Sequence, residues 1–121
     1  MTLRGGADPF RDKAVRGSMG SVFRLPVTHG MTAAEAIAFA RRQRLQIVVA
    51  DGGGDRAHTA ADLRRPTLLV VGAEAAGVAS EWLEAADAHV RTPLRAPVES
   101  LNAAVAAGVL LFEAQRQRAE A

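Results

Sequence analysis

Val70-Val71-Gly72-Ala73-Glu74-Ala75-Ala76-Gly77 carries an apolar run into a turn bracketed by two glycines, with a single carboxylate between them. The run, residues 67–71, has the length and composition of a buried strand. Two further pieces follow. Val90-Arg91-Thr92-Pro93-Leu94 is a strand stopped by proline, and Glu99-Ser100-Leu101-Asn102 opens a helix whose first part, residues 103–112, is apolar throughout. Strand ends and helix N-termini are the places where α/β proteins offer backbone groups to small ligands.

Working back toward the N-terminus, Ile47-Val48-Val49-Ala50 is continuously apolar and predicts a strand over residues 45–50, buried on both faces. Asp51-Gly52-Gly53-Gly54-Asp55 is a loop, residues 59–63 hold a weak helical turn, and Pro66 ends it. Met31 opens a helix that runs to about Gln43, with Thr32 and Glu35 at capping-box spacing. Leu25-Pro26-Val27-Thr28 is a short extended piece, residues 13–23 form a helical pattern broken by Gly17 and Gly20, and residues 1–12 are rich in glycine and charge. Residues 80–87 are a short helix, 88–92 a third strand, and 100–118 the terminal helix. Helices alternate with strands at βαβ spacing, so the fold is α/β with a mostly parallel sheet of three or four strands and flanking helices.

The 121 residues suffice for one small domain, and 49% hydrophobic content makes it a folding one. Aromatics are only 4%, so Ala, Val and Leu must build the core. Cysteine is absent, which excludes disulfides and thiolate metal sites and fits a reducing, cytoplasmic compartment. His29, His58 and His89 are far apart and lack metal-ligand spacing, so no metal site is expected. No secretory signal is visible, and residues 103–112 fall well short of the ~20 apolar residues that span a bilayer. Lys13 is the sole lysine among 15 basic residues; arginine suits phosphate recognition, yet a net charge of +2 does not by itself argue for nucleic acid.

Residue by residue, two readings stay open. The Gly72–Gly77 segment lacks dinucleotide-fingerprint spacing and is equally an ordinary strand-to-helix turn, although Glu74 in apolar company needs partners. Ser100 reads as the N-cap of the last helix, which leaves the Asn102 amide for a substrate hydroxyl or sugar. The apolar residues 103–112 imply a helix buried on most sides, centrally or at a subunit interface. Arg16, with Lys13 and Arg24, is either a solvated helix face or a cationic patch. Arg41, Arg42 and Arg44 complement a helix dipole, and the tail beyond Glu113 is a solvated helix end. His58 and His89 read as surface or supporting residues.

Together, in order and spacing, these segments resemble the SpoU-type (TrmH-like) RNA 2'-O-ribose methyltransferases of the SPOUT superfamily over residues 7–118. The stretch from Asp8-Pro9-Phe10 to Leu25-Pro26-Val27 is similar to the family's middle segment. Gly72 to Gly77 is similar to its second motif, Gly-x-Glu-Gly-x-Gly. Thr92-Pro93-Leu94 with Ser100-Leu101-Asn102 is similar to its third, Ile-Pro-Met followed by Ser-Leu-Asn and an apolar helix.

The resemblance implies a trefoil-knotted α/β fold, S-adenosyl-L-methionine as cofactor, a homodimer packed through the knot helices, and methyl transfer to a ribose 2'-hydroxyl of structured ribosomal or transfer RNA. On matching positions, Gly72, Thr92 and Leu101 would contact the cofactor, Glu74, Ser100 and Asn102 would be active-site residues, and Arg16 would contact RNA. Ala75 stands where the family has glycine, and Thr92 where it has an apolar residue. The family's first motif, with an Asn and an Arg thought to activate the hydroxyl, belongs before Ala7. The chain is therefore expected to be a single SPOUT domain, residues 1–121, forming the C-terminal part of such an enzyme, without that motif or the RNA-binding domain and with little activity by itself. The alternative expectation is a non-catalytic cofactor-binding or dimerisation module; a Rossmann-like nucleotide domain is disfavoured by the lack of Gly-x-Gly-x-x-Gly.

Overall fold

The computed structural model describes residues 1–72 and 77–121. The chain divides into two compact units, Met1–Ala38 and Phe39–Ala121.

In the first unit, β1 (Thr2–Leu3) pairs in parallel with β2 (His29–Met31). Backbone bonds from Thr2 N to Thr28 O and from Arg4 N to Met31 O, both 2.8 Å, bracket the pair. The strand thus lies just beyond the extended piece expected at Leu25 to Thr28, and Met31 ends it rather than opening a helix. Between the two strands lie α1 (Asp12–Gly17), with no buried residue, and a 3-10 turn at Ser21–Phe23.

The helix α2 (Ala33–Arg42) starts one residue after Thr32. Its capping box forms as the spacing requires: Glu35 N donates to Thr32 Oγ1 at 3.1 Å, and Thr32 N donates to Glu35 Oε2 at 2.8 Å. These bonds hold the Glu35 carboxyl below its ordinary range. At the other end, Leu45 N donates to Ala40 O and Arg44 N to Arg41 O, the Schellman pattern, with Arg44 left-handed at φ 55°.

The second unit holds a wholly parallel four-stranded sheet. Its strands are β3 (Gln46–Ala50), β4 (Arg56–Ala57), β5 (Thr67–Val71) and β6 (Ala88–Arg91), in spatial order β4-β6-β3-β5. The apolar run of β3 puts it centrally, and Ile47, Val48 and Val49 are fully buried. β5 was expected to be buried too, but it sits at the sheet's edge with β3 as its only described neighbour, and all five of its residues are half-buried. β4 has two residues and no hydropathy pattern to announce it.

Alternation along β3 sends side chains to both faces. Val48 joins Val90, Ala61, Leu63, Leu110 and Ala114 in one core cluster under α4 (Ala103–Ala119). α3 (Ser80–Ala85), which buries Trp82, packs on β3. Asp87, just past α3, ties the layers together: its Oδ2 accepts from Ile47 N at 2.8 Å and from Arg41 Nη1 at 2.9 Å, while Arg41 Nη2 reaches Ala85 O at 2.6 Å. Arg41 therefore serves as a tertiary latch as well as a helix-end charge. The Ile47 N–H, then the Arg41 guanidinium, hold the Asp87 carboxyl low.

Two expectations for α4 are corrected. Its apolar part is not centrally buried: Leu110 is, but Val105, Leu111 and Phe112 are exposed in the single chain, Phe112 by 74%. Its polar tail is not simply solvated. Gln117 bonds to both Leu63 N and Ala61 O, and Arg118 Nε donates to Leu63 O. Glu113, buried, takes a two-pronged contact from Arg116 at 2.9 and 2.7 Å and a third bond from Gln117. The helix is polar where it is pinned and apolar where it is bare.

The Arg116 and Gln117 bonds pull the Glu113 carboxyl down to about 2 from an ordinary value of 4.5. A depressed carboxylate contributes stability above its unfolded value and loses it as pH falls through the folded one. Melting temperature should therefore decline as pH drops from about 4.5 toward 2, and Glu113→Gln should be less stable at pH 7 with a flatter profile over that window. Thermal melts across the series check this.

Candidate functional site

The parallel sheet brings the carboxyl ends of β3, β5 and β6 to one edge, and a cleft opens there. Ala50, Asp51 and Gly52 line it from the end of β3, Val71 and Gly72 from β5, and Thr92 and Leu94 from the segment after β6. Ser100, Leu101, Ala106 and Leu110 close it from the α4 side. The space it encloses, open mouth included, is about 550 Å³.

Four expected residues, Gly72, Thr92, Ser100 and Leu101, thus meet in one cleft although they are up to 29 positions apart in the chain (101 − 72). Gly72 is a position where a side chain does not fit: a Cβ there would lie 2.7 Å from Val78 Cγ2 and 2.8 Å from Gly77 O. Gly77 itself has φ 65°, where glycine is at ease. Glu74 lies outside the described residues. Arg16 is exposed on α1 of the first unit.

Asn102 requires a correction. The helix begins at Ala103, and Asn102 rather than Ser100 is its N-cap: its Oδ1 accepts from Ala104 N at 3.0 Å and Val105 N at 3.3 Å. Ser100 and Asn102 are both eligible to cap, and the cap falls two residues later than expected. Capping uses only the oxygen, so the amide N–H groups remain free among the described residues.

Asp51 and His89 were missed as a pair. Asp51 follows β3 directly, and its Oδ1 accepts from Gly53 N at 2.8 Å and lies 2.7 Å from His89 Nε2 on β6. The contact is part-buried, with 19% and 25% of the two side chains exposed. The loop beyond is tied to the same strand by Asp51 N to Val90 O, Asp55 N to His89 O and Arg91 Nη1 to Gly54 O. Asp51's place at a strand's carboxyl end was a usable signal; its partner, 38 residues away, left none. Among the described residues no group of three His, Asp or Glu side chains is placed to hold a metal, and no helix is long and apolar enough to cross a membrane.

The chain is thus an α/β protein with a parallel sheet and a cleft at its carboxyl edge, bordered by Gly72 and by the N-terminal end of α4. The sequence profile of the SpoU rRNA Methylase family matches residues 1–112, and the chain belongs to that family. It is 42% identical over 105 residues to an uncharacterized tRNA/rRNA methyltransferase of Mycolicibacterium smegmatis, covering 87% of this chain and 33% of that protein. It is 37% identical over 117 residues to the 23S rRNA (uridine(2479)-2'-O)-methyltransferase of Streptomyces viridochromogenes, covering 93% and 41%. The crystal structure of the SpoU methyltransferase AviRb from Streptomyces viridochromogenes in complex with the cofactor AdoMet superposes with a TM-score of 0.92 at 34% identity, over 100% of this chain and 49% of that one. The chain thus spans about a third to two-fifths of the length of these two curated relatives.

Removing the Asn102 cap should cost about 1 kcal/mol, the usual penalty for an alanine at that position. Asn102→Ala is expected to lower the denaturation midpoint accordingly, and Asn102→Ser to recover most of it. Equal stability of all three would refute the cap.

Proposed function

We propose that the chain is the cofactor-binding part of an RNA 2'-O-ribose methyltransferase, with S-adenosyl-L-methionine in the carboxyl-edge cleft and structured ribosomal or transfer RNA as substrate. The observation that carries the reading is the convergence of Gly72, Thr92, Ser100 and Leu101, all motif positions, on that one cleft. Family membership and the AdoMet-bound relative support it.

The residues present suit the cofactor. Val71, Leu94, Leu101 and Leu110 offer an apolar wall to an adenine ring, and the backbone at Gly72, Thr92 and Leu101 offers donors and acceptors to its edges. Gly72 lets Gly77 and Val78 approach the end of β5 where a side chain would clash. When bound, the cofactor supplies an electrophilic methyl group.

What the chain itself does is position. A ribose hydroxyl is a weak nucleophile at neutral pH, so its approach must be fixed and its proton accepted. The free amide of Asn102 and the hydroxyl of Ser100 stand at the helix N-terminus beside the cleft, able to orient a sugar. Glu74 is assigned to the same site on its motif position, and Arg16 to RNA contact. The single-domain boundary at residues 1–121, the knotted threading of the C-terminal helix and a cytoplasmic location belong to this same reading.

A homodimer also belongs to it. Val105, Leu111 and Phe112 form a bare apolar surface on α4, which a second copy would cover. Sedimentation should show a dimer, and Phe112→Glu should shift it toward monomer; a monomeric parent at high concentration refutes the assembly.

Calorimetry with S-adenosylhomocysteine tests the cofactor reading. The parent chain is expected to bind, and Gly72→Ala to lose affinity at least tenfold while remaining folded. No heat and no thermal shift at millimolar ligand, in a folded sample, overturns it. Asn102→Asp, which keeps the cap oxygen and removes the amide donors, should leave both cofactor binding and the melting temperature intact.

A further inference from the structure

The cleft contains a carboxylate that none of the motif positions accounts for. Asp51 Oδ1 is fully engaged by Gly53 N and His89 Nε2. Its Oδ2 has no hydrogen-bond partner among the described residues, although 81% of the side chain is covered (100 − 19). Asp51 lines the cleft together with Gly72, and its Oδ2 lies 3.8 Å from where a Cβ on Gly77 would sit, an ordinary contact distance.

The carboxylate is also anchored. His89 fixes one oxygen from behind, and the three bonds between the 51–55 loop and the 89–91 stretch fix the backbone that carries it. Gly54 lies so close to that stretch that a Cβ would fall 2.1 Å from Val90 C. A carboxylate oxygen with free lone pairs, on a largely covered side chain that lines the cleft, is an acceptor awaiting a donor.

We propose that Asp51 binds the cofactor through Oδ2, accepting a hydrogen bond from a donor on the ligand, a ribose hydroxyl or the amino-acid ammonium, and that His89 is the positioning residue that aims it. The proposal rests on the reading of the cleft as a cofactor site and adds a polar anchor to the backbone contacts there. A neutral Asn can keep the His89 contact through its oxygen, but it turns an N–H toward the donor on the ligand. Gln at position 89 can still donate to Oδ1, and Ala cannot.

The test is calorimetry on the chain with two probes, S-adenosylhomocysteine and methylthioadenosine, the second of which lacks the ammonium. Asp51→Asn should bind S-adenosylhomocysteine at least tenfold more weakly, with its melting temperature unchanged. An equal loss with methylthioadenosine identifies a ribose hydroxyl as the donor, and no loss with it identifies the ammonium. His89→Ala should weaken binding severalfold, and His89→Gln should stay within about twofold of the parent. Parental affinity of Asp51→Asn for both probes overturns the Asp51 assignment while leaving the cofactor reading intact. A His89→Gln variant as weak as His89→Ala overturns the positioning role. A parent chain that binds neither probe overturns the cofactor reading and this proposal with it.

Discussion

The backbone of Gly54 lies against that of Val90 with no room for a single methyl group between them. That contact lets the chain leave β3, cross the end of β6 within the five residues 51–55 and continue parallel to it on its far side as β4. Were the loop to stand off, Asp51 would not reach His89, the Arg91 guanidinium would not reach Gly54 O, and the wall of the cleft on the β3 side would be a mobile flap. A glycine triplet that reads as mere looseness in the sequence is thus, at its third member, a joint too tight for any side chain.

A different economy governs α4. Only a narrow part of it, around Leu110 and Ala114, enters the core. Its C-terminal half is held by side-chain bonds to the 61–65 segment, with Gln117 bridging an amide N–H and a carbonyl that would otherwise be unpaired. Its N-terminal half is held by the Asn102 cap and borders the cleft. Polar bonds fix the helix in register, and its exposed apolar residues take no part in that fixing.

The sequence made local patterns legible and long-range ones illegible. The run from Ile47 to Ala50 announced a central strand because a strand covered on both faces has no polar alternation to disguise it. Thr32 and Glu35 announced their helix because a capping box is a four-residue event. β5 was harder: its residues match those of a central strand, and its edge position depends on which strands pair, which no window reports. The placement of Gly72, Thr92, Ser100 and Leu101 in one cleft was legible through motif resemblance, whereas the Asp51–His89 and Arg41–Asp87 contacts join residues 38 and 46 positions apart and exist only in the folded chain. The cap fell to Asn102 rather than Ser100 because a helix starts where packing allows, and propensity alone does not distinguish the two residues.

The end of α2 shows the same tension in the backbone. A Schellman turn asks for glycine at its left-handed residue, and this chain places Arg44 there at φ 55°. The misfit costs about 1 kcal/mol, and it is tolerated because Leu45 must turn away from the helix axis to deliver Gln46 and Ile47 to the central strand. The helix stops where the sheet needs it to stop. Arg44 is consequently a site of stored local frustration, where the folded state overrules the residue's own preference and where this chain sits below the stability its architecture permits.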